Sequence, residues 1–134
     1  MRAFLDTNFL VSAFTARGLC AELYRILLAE HEVMTGEVNL AELRRVLAEH
    51  FRASESQLAI VEGQLRDQLI IPRPSAPSSL PIRDCDDGWV LASAIAGAAE
   101  VLITGDKDLL AVATIAPLPI LTPREAWERL RAAE

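Results

Sequence analysis

The 134-residue chain is 51% hydrophobic and 24% charged, which excludes a disordered or fibrous protein and points to a globular one. Its net charge of −6 argues against a broad basic surface for nucleic acid, although acids gathered around a metal ion would be offset locally. Cys20 and Cys85 show no metal-ligand spacing, so a reduced, cytoplasmic setting is expected rather than a disulfide framework.

One domain spanning residues 1–134 is expected from the length. Asp6 interrupts the first apolar run, so no secretory leader is expected. Asp87 and Glu100 bound the apolar helix between them, so no membrane span is expected either. Lys107 is the only lysine. The basic side is otherwise arginine, which suits contacts to phosphate or to an acidic partner.

In chain order, Arg2 to Leu5 reads as a short buried strand. Cys20 to Glu30 carries a helical stripe of Leu23, Ile26 and Leu27. Val33 to Thr35 reads as a second strand, and Val38 to Phe51 as a helix. Ser54 opens another helix, with Gln57 placed for a capping box and Leu58, Val61 and Leu65 as its stripe. Leu69 to Ile71 is a candidate third strand. Pro72 to Pro81 then breaks regular structure and reads as an extended connection. A helix over Asp86 to Ala96 follows, whose alanines and Gly97 permit close packing. Val101 to Thr104 reads as a strand, Asp106 to Ala113 as a short helix, and Pro119 to Leu121 as the last strand. Thr122-Pro123-Arg124-Glu125 has the cap, the proline and the glutamate of a helix start. Such alternation predicts a three-layer α/β/α sandwich around a parallel sheet of four or five strands.

Asp6 and Asp106 each follow an apolar run, so in such a sheet both emerge at its carboxyl edge, where these folds place their sites. Carboxylates gathered there repel one another unless a cation holds them, and oxygen ligands suit Mg²⁺ or Mn²⁺. Each acid also has a structural reading. Asp6 is a good helix N-cap. Glu42 is spaced to pair with Arg45 on a solvent face. Among Asp84, Asp86 and Asp87, the last is expected to face inward, because Val90, Leu91 and Ala94 continue its face. Asp86 is the cap candidate there, and Asp84 a solvent or outer position. One of Asp106 and Asp108 is expected to cap the next helix, which leaves the other free for metal. His31 and His50 lie at helix ends without a partner motif, and Trp89 and Trp127 read as packing or interface residues.

The chain resembles the PIN-domain nucleases, and within them the toxin components of toxin–antitoxin pairs. The resemblance is carried by Leu5-Asp6-Thr7-Asn8, Leu40-Ala41-Glu42-Leu43, Arg83 to Asp87 leading into Val90-Leu91-Ala92, Leu102 to Leu109, and Ile120 to Glu125. The motifs are short, but their order and spacing are specific. Cys85 stands where the family often has proline, and Gly88-Trp89 replace a more polar pair. The resemblance implies an acidic quartet on Asp6, Glu42, Asp87 and Asp106, with Asp108 as alternative or supplement to the fourth. Thr7, Asn8 and Thr104 match the polar positions around it. It further implies a metal-dependent endoribonuclease with one or two Mg²⁺ or Mn²⁺ ions, ~3.5–4 Å apart if two bind. An antitoxin partner and a homodimer are implied as well.

Three rival readings remain at this level. One is a PIN-type RNA-processing nuclease without antitoxin. Another is a catalytically inactive RNA- or protein-binding module. The third is a phosphoacceptor switch, which would want a midchain aspartate after a strand, whereas Glu42 is expected on a helix.

Overall fold

A computed structural model of the chain describes residues 1–133. β1 (Arg2–Leu5) runs through Asp6 directly into α1 (Thr7–Thr15). Then come α2 (Leu19–Glu30), β2 (Glu32–Gly36), α3 (Glu37–Phe51), α4 (Glu55–Arg66) and β3 (Leu69–Ile71). After the proline-rich connection follow α5 (Cys85–Ala96), β4 (Val101–Ile103), α6 (Lys107–Leu110), β5 (Ile120–Leu121) and α7 (Pro123–Ala132).

The five strands form one sheet in the order β3-β2-β1-β4-β5. Every pairing is parallel, with Ala3 opposite Val33 on one side of β1 and opposite Val101 on the other. Period-2 geometry sorts the central side chains between two cores. Ala3, Leu5, Val33, Val101 and Ile103 enter the core shared with Leu10, Leu23, Leu43 and Ala126. Phe4, Met34 and Leu102 enter the opposite core with Val90, Leu91, Ala94 and Leu109. Helices α1, α2, α3, α4 and α7 therefore cover one face, and α5 and α6 cover the other. This is the expected three-layer α/β/α sandwich. It also explains why the central strands read as unbroken apolar runs, since both of their faces are buried.

Local chemistry sets the element ends. Ser54 and Gln57 close a capping box on α4, and Thr122 and Glu125 close another on α7 behind Pro123. Gly97 ends α5 where a Cβ would lie 2.7 Å from Ile71 Cδ1 and 2.9 Å from Met34 Sδ, so the close approach of α5 to the sheet needs glycine there. Among the described residues, no helix is long and apolar enough to cross a membrane.

Candidate functional site

The strand order reverses at β1: the chain moves outward to β2 and β3, then returns to place β4 on the other flank. A crevice opens at the carboxyl ends of strands that diverge in this way. Asp6 leaves β1 there, and Thr104 to Asp106 leave β4 beside it. The backbone N–H of Asp6 still donates to the carbonyl of Ile103 at 3.1 Å, which locks the two exits together.

Asp6 is buried, and both of its oxygens are engaged. Oδ1 accepts from the Thr7 N–H at 2.8 Å and from Asn39 Nδ2 at 3.1 Å. Oδ2 accepts from the Thr104 hydroxyl at 2.7 Å. Asn39 Nδ2 also donates to Thr7 Oγ1 at 3.0 Å, and Thr104 Oγ1 accepts from the Asp106 N–H at 2.9 Å. The N-cap reading of Asp6 is thus correct as geometry, since Asp6 caps α1. It does not exhaust the residue, because two side chains, Asn39 and Thr104, converge on the same carboxylate. Burial pushes the Asp6 carboxyl above its ordinary range and Asp106 adds to this, while Thr104, Thr7 and Asn39 oppose it.

Asp87, on the first turn of α5, faces inward as expected and is buried. Its Oδ2 has no hydrogen-bond partner among the described residues. Burial first, then the charges of Asp106, Asp6 and Asp84, push its carboxyl up to about 8. Ligand oxygens of Asp84, Asp87 and Asp108 lie within 4.8 Å of one another, a spacing that one cation can bridge. No ion pair among the described residues involves Asp6, Asp84, Asp87, Asp106 or Asp108.

The remaining acids divide the work. Asp106 is the N-cap of α6, its Oδ1 accepting from the Asp108 N–H at 2.8 Å and the Leu109 N–H at 3.4 Å. Asp108 is the one of that pair whose carboxylate meets Asp84 and Asp87. Asp84 is exposed, as expected, and it also takes the α5 cap expected of Asp86 by accepting from the Asp86 N–H at 3.0 Å. The cap falls there because α5 begins at Cys85, one residue earlier than the sequence pattern indicates, so Asp86 lies in the first turn. Glu42 does not pair with Arg45, which bonds Glu49 at 3.2 Å instead. Glu42 is exposed by surface area, yet it is flanked closely enough that desolvation and then Asp6 raise its carboxyl, with Arg45 opposing and Asp86 and Asp84 adding. It lines two cavities, one of ≈280 Å³ with Thr7, Asn8 and Ser12 and one of ≈180 Å³ with Asp86 and Trp89.

Asn39 is the site residue that sequence reasoning missed. It is buried, and it occupies the same α3 face as Leu43 and Leu47 at four-residue spacing, which was the available signal. Gly36 leaves it room: a Cβ there would lie 3.0 Å from Asn39 Oδ1 and 3.1 Å from Ser93 Oγ.

This arrangement fits a divalent cation on chemical grounds. The donors are hard oxygens, the aspartates are crowded with no ion pair among the described residues, and one buried carboxylate oxygen, Oδ2 of Asp87, is left without a partner.

No curated protein matches the sequence. Solved structures do match the fold. VapBC2 from Rickettsia felis, bound to a DNA fragment from their promoter, is 17% identical, with a TM-score of 0.63 over 91% of this chain and 98% of that one. FitAcB from Neisseria gonorrhoeae is 18% identical, with a TM-score of 0.61 over 91% and 98%. VapBC-1 from nontypeable Haemophilus influenzae is 20% identical, with a TM-score of 0.63 over 92% and 99%. The PIN domain family profile matches residues 2–108, from β1 through the acids that follow β4. The chain belongs to the PIN-domain family.

Proposed function

We propose that this chain acts as a single PIN domain over residues 1–134 and is a cytoplasmic, metal-dependent endoribonuclease, the toxin of a toxin–antitoxin pair. The observation that carries the reading is the buried, unpartnered Oδ2 of Asp87 inside a cluster of acids that form no ion pair among the described residues. PIN domains are generally nucleases, which supports the reaction class, and VapBC and FitAcB as fold neighbours support the toxin group.

Asp6, Glu42, Asp87 and Asp106 are the residues assigned to hold Mg²⁺ or Mn²⁺, with Asp108 as alternative or supplement and Asp84 beside it. A bound divalent ion supplies Lewis acidity to the phosphodiester and activates water at neutral pH. The chain's own groups do the positioning. Thr104, Asn39 and the Thr7 N–H fix both oxygens of Asp6, so its orientation is set before any ligand arrives. Glu42 is the acid of the quartet that a substrate meets in both cavities. No side-chain nucleophile is required.

A homodimer that also binds an antitoxin is part of the proposal. Phe51 and Ile60 are exposed, and they line an apolar groove of ≈310 Å³ with Phe14, Leu47 and Val61. An amphipathic antitoxin helix would fill such a groove, with a basic side chain reaching toward the acids.

The test is incubation of the purified protein with a mixed RNA pool, with Mn²⁺ and with EDTA. Cleavage that requires Mn²⁺ is expected, and RNA left intact under both conditions refutes the assignment. Co-expression with the neighbouring gene product tests the partner. Failure to co-purify, with cleavage retained, favours an RNA-processing PIN nuclease without antitoxin.

A further inference from the structure

The smaller of the two cavities flanking Glu42 has an unusual wall. Glu42 and Asp86 line it together with Arg73 and Trp89. Arg73 comes from Pro72-Arg73-Pro74, where a proline on each side restricts the backbone. Its guanidinium carbon lies 4.1 Å from the centroid of the Trp89 ring. Trp89 is half-buried on α5, two positions beyond Asp87.

The hollow offers carboxylates, yet Arg73 forms no ion pair among the described residues. It sits over the indole instead. The ring backs the cation on one side, and the guanidinium N–H groups remain available to donate to a ligand in the cavity that Arg73 lines. A planar cation backed by an aromatic ring suits a ligand that alternates phosphates with flat bases. In single-stranded RNA, bases stack on aromatic rings and on guanidinium planes alike.

We infer that Arg73 and Trp89 form a substrate subsite for single-stranded RNA. Arg73 takes a backbone phosphate that adjoins the acidic centre, and the guanidinium–indole stack supports the neighbouring base. This rests on the nuclease reading above and adds a path to it: the strand crosses Glu42 between the two cavities. It also gives a role to Trp89, which replaces a more polar residue of the family pattern.

The test separates binding from cleavage. A fluorescein-labelled, single-stranded ten-nucleotide RNA of mixed sequence is titrated by anisotropy into Asp6→Asn protein with Mn²⁺, over a range of NaCl. Arg73→Gln is expected to weaken binding about tenfold and to reduce the slope of log affinity against log salt by about 0.7, the value for one lost phosphate contact on a single strand. Trp89→Ala is expected to weaken binding by roughly five- to tenfold with the slope unchanged, and Trp89→Phe to keep most of the affinity. In the otherwise wild-type enzyme, Arg73→Gln should raise KM about tenfold and alter kcat less than about twofold. A purely structural tether between the connection and α5 would not move the salt slope. Arg73→Gln protein with unchanged affinity and slope overturns the subsite while RNA cleavage by the wild type stands. A wild-type protein that neither binds nor cleaves RNA overturns the nuclease reading, and the subsite with it.

Discussion

Replacing Asp87 with asparagine should stabilise the metal-free protein above neutral pH. Asp87 is buried, one of its oxygens has no partner, and its carboxyl sits at about 8 in the fold against 3.8 as a free side chain. The folded state therefore binds this proton more tightly than the unfolded state does. Below about pH 4 both states are protonated and Asp87 costs nothing. As pH rises from about 4 to 8 the unfolded chain ionises while the fold resists, so stability falls across that window and levels off above it. At ~1.36 kcal/mol per pH unit, the full cost is on the order of 5 kcal/mol. Water entering the crevice shares the charge, so an observed gain of about 2–3 kcal/mol is expected for Asp87→Asn near pH 9, roughly 10 °C in Tm for a chain of this size. The raised carboxyls of Asp6 and Glu42 act with the same sign and remain in the variant. Thermal unfolding in EDTA, followed by circular dichroism from acid to alkaline pH, measures the difference. Adding Mn²⁺ should then raise the Tm of the wild type more than that of the variant. Coincident melting curves for the two proteins across the whole pH range would refute the account of a crowded, uncompensated site.

Asp6→Asn should keep the fold but reduce Mn²⁺-dependent RNA cleavage by more than about 100-fold, because losing a ligand exceeds the ~10–100-fold cost of losing its support. Wild-type turnover in folded variant protein removes Asp6 from the mechanism. Thr104→Val, which frees Oδ2 of Asp6, and Asn39→Ala, which leaves Oδ1 with the Thr7 N–H alone, should fall within that ~10–100-fold range in activity or metal affinity. Titration calorimetry with Mn²⁺ checks the second quantity. Gly97→Ala should destabilise by about 1–3 kcal/mol through overpacking against Ile71 and Met34, seen as a lower urea midpoint at unchanged m. Light scattering at micromolar concentration should give twice the chain mass, and a monomer there rejects the homodimer.

Much of the scaffold was legible because its signals are local. The runs Phe4–Leu5, Val33–Met34 and Val101–Ile103 are buried on both faces, and continuous apolar sequence is what such strands require. Ser54 and Thr122 announced α4 and α7 through capping boxes that the fold reproduces. Helix α1 was not read as an element. It follows β1 with no loop, and Asp6, Thr7 and Asn8 spoke more strongly of a site than of a helix start. The same overlap explains why the cap of α5 falls on Asp84 and not on Asp86: three acids within four residues all suit a helix start, and the helix begins at Cys85. Pairings distant in sequence were the least legible. Asn39 reaching Asp6, and Asp84 meeting Asp108 across the crevice, depend on how strands order themselves in the sheet. That order is a tertiary outcome which no local pattern encodes.

The bond between Thr104 and Asp6 joins residues 98 positions apart, and it can exist only once β4 has docked beside β1. A ribosome delivers Asp6, Asn39 and Glu42 long before it delivers Thr104 and Asp106. During synthesis the early acids therefore wait on an incomplete sheet, and contacts of such long span form late in folding. If these residues cut RNA as proposed, a nascent or truncated chain that stops short of β4 is harmless to the messages around it. The timing of the hazard is then written into the strand order: β1, made first, sits at the centre of the sheet and must await a neighbour made near the end.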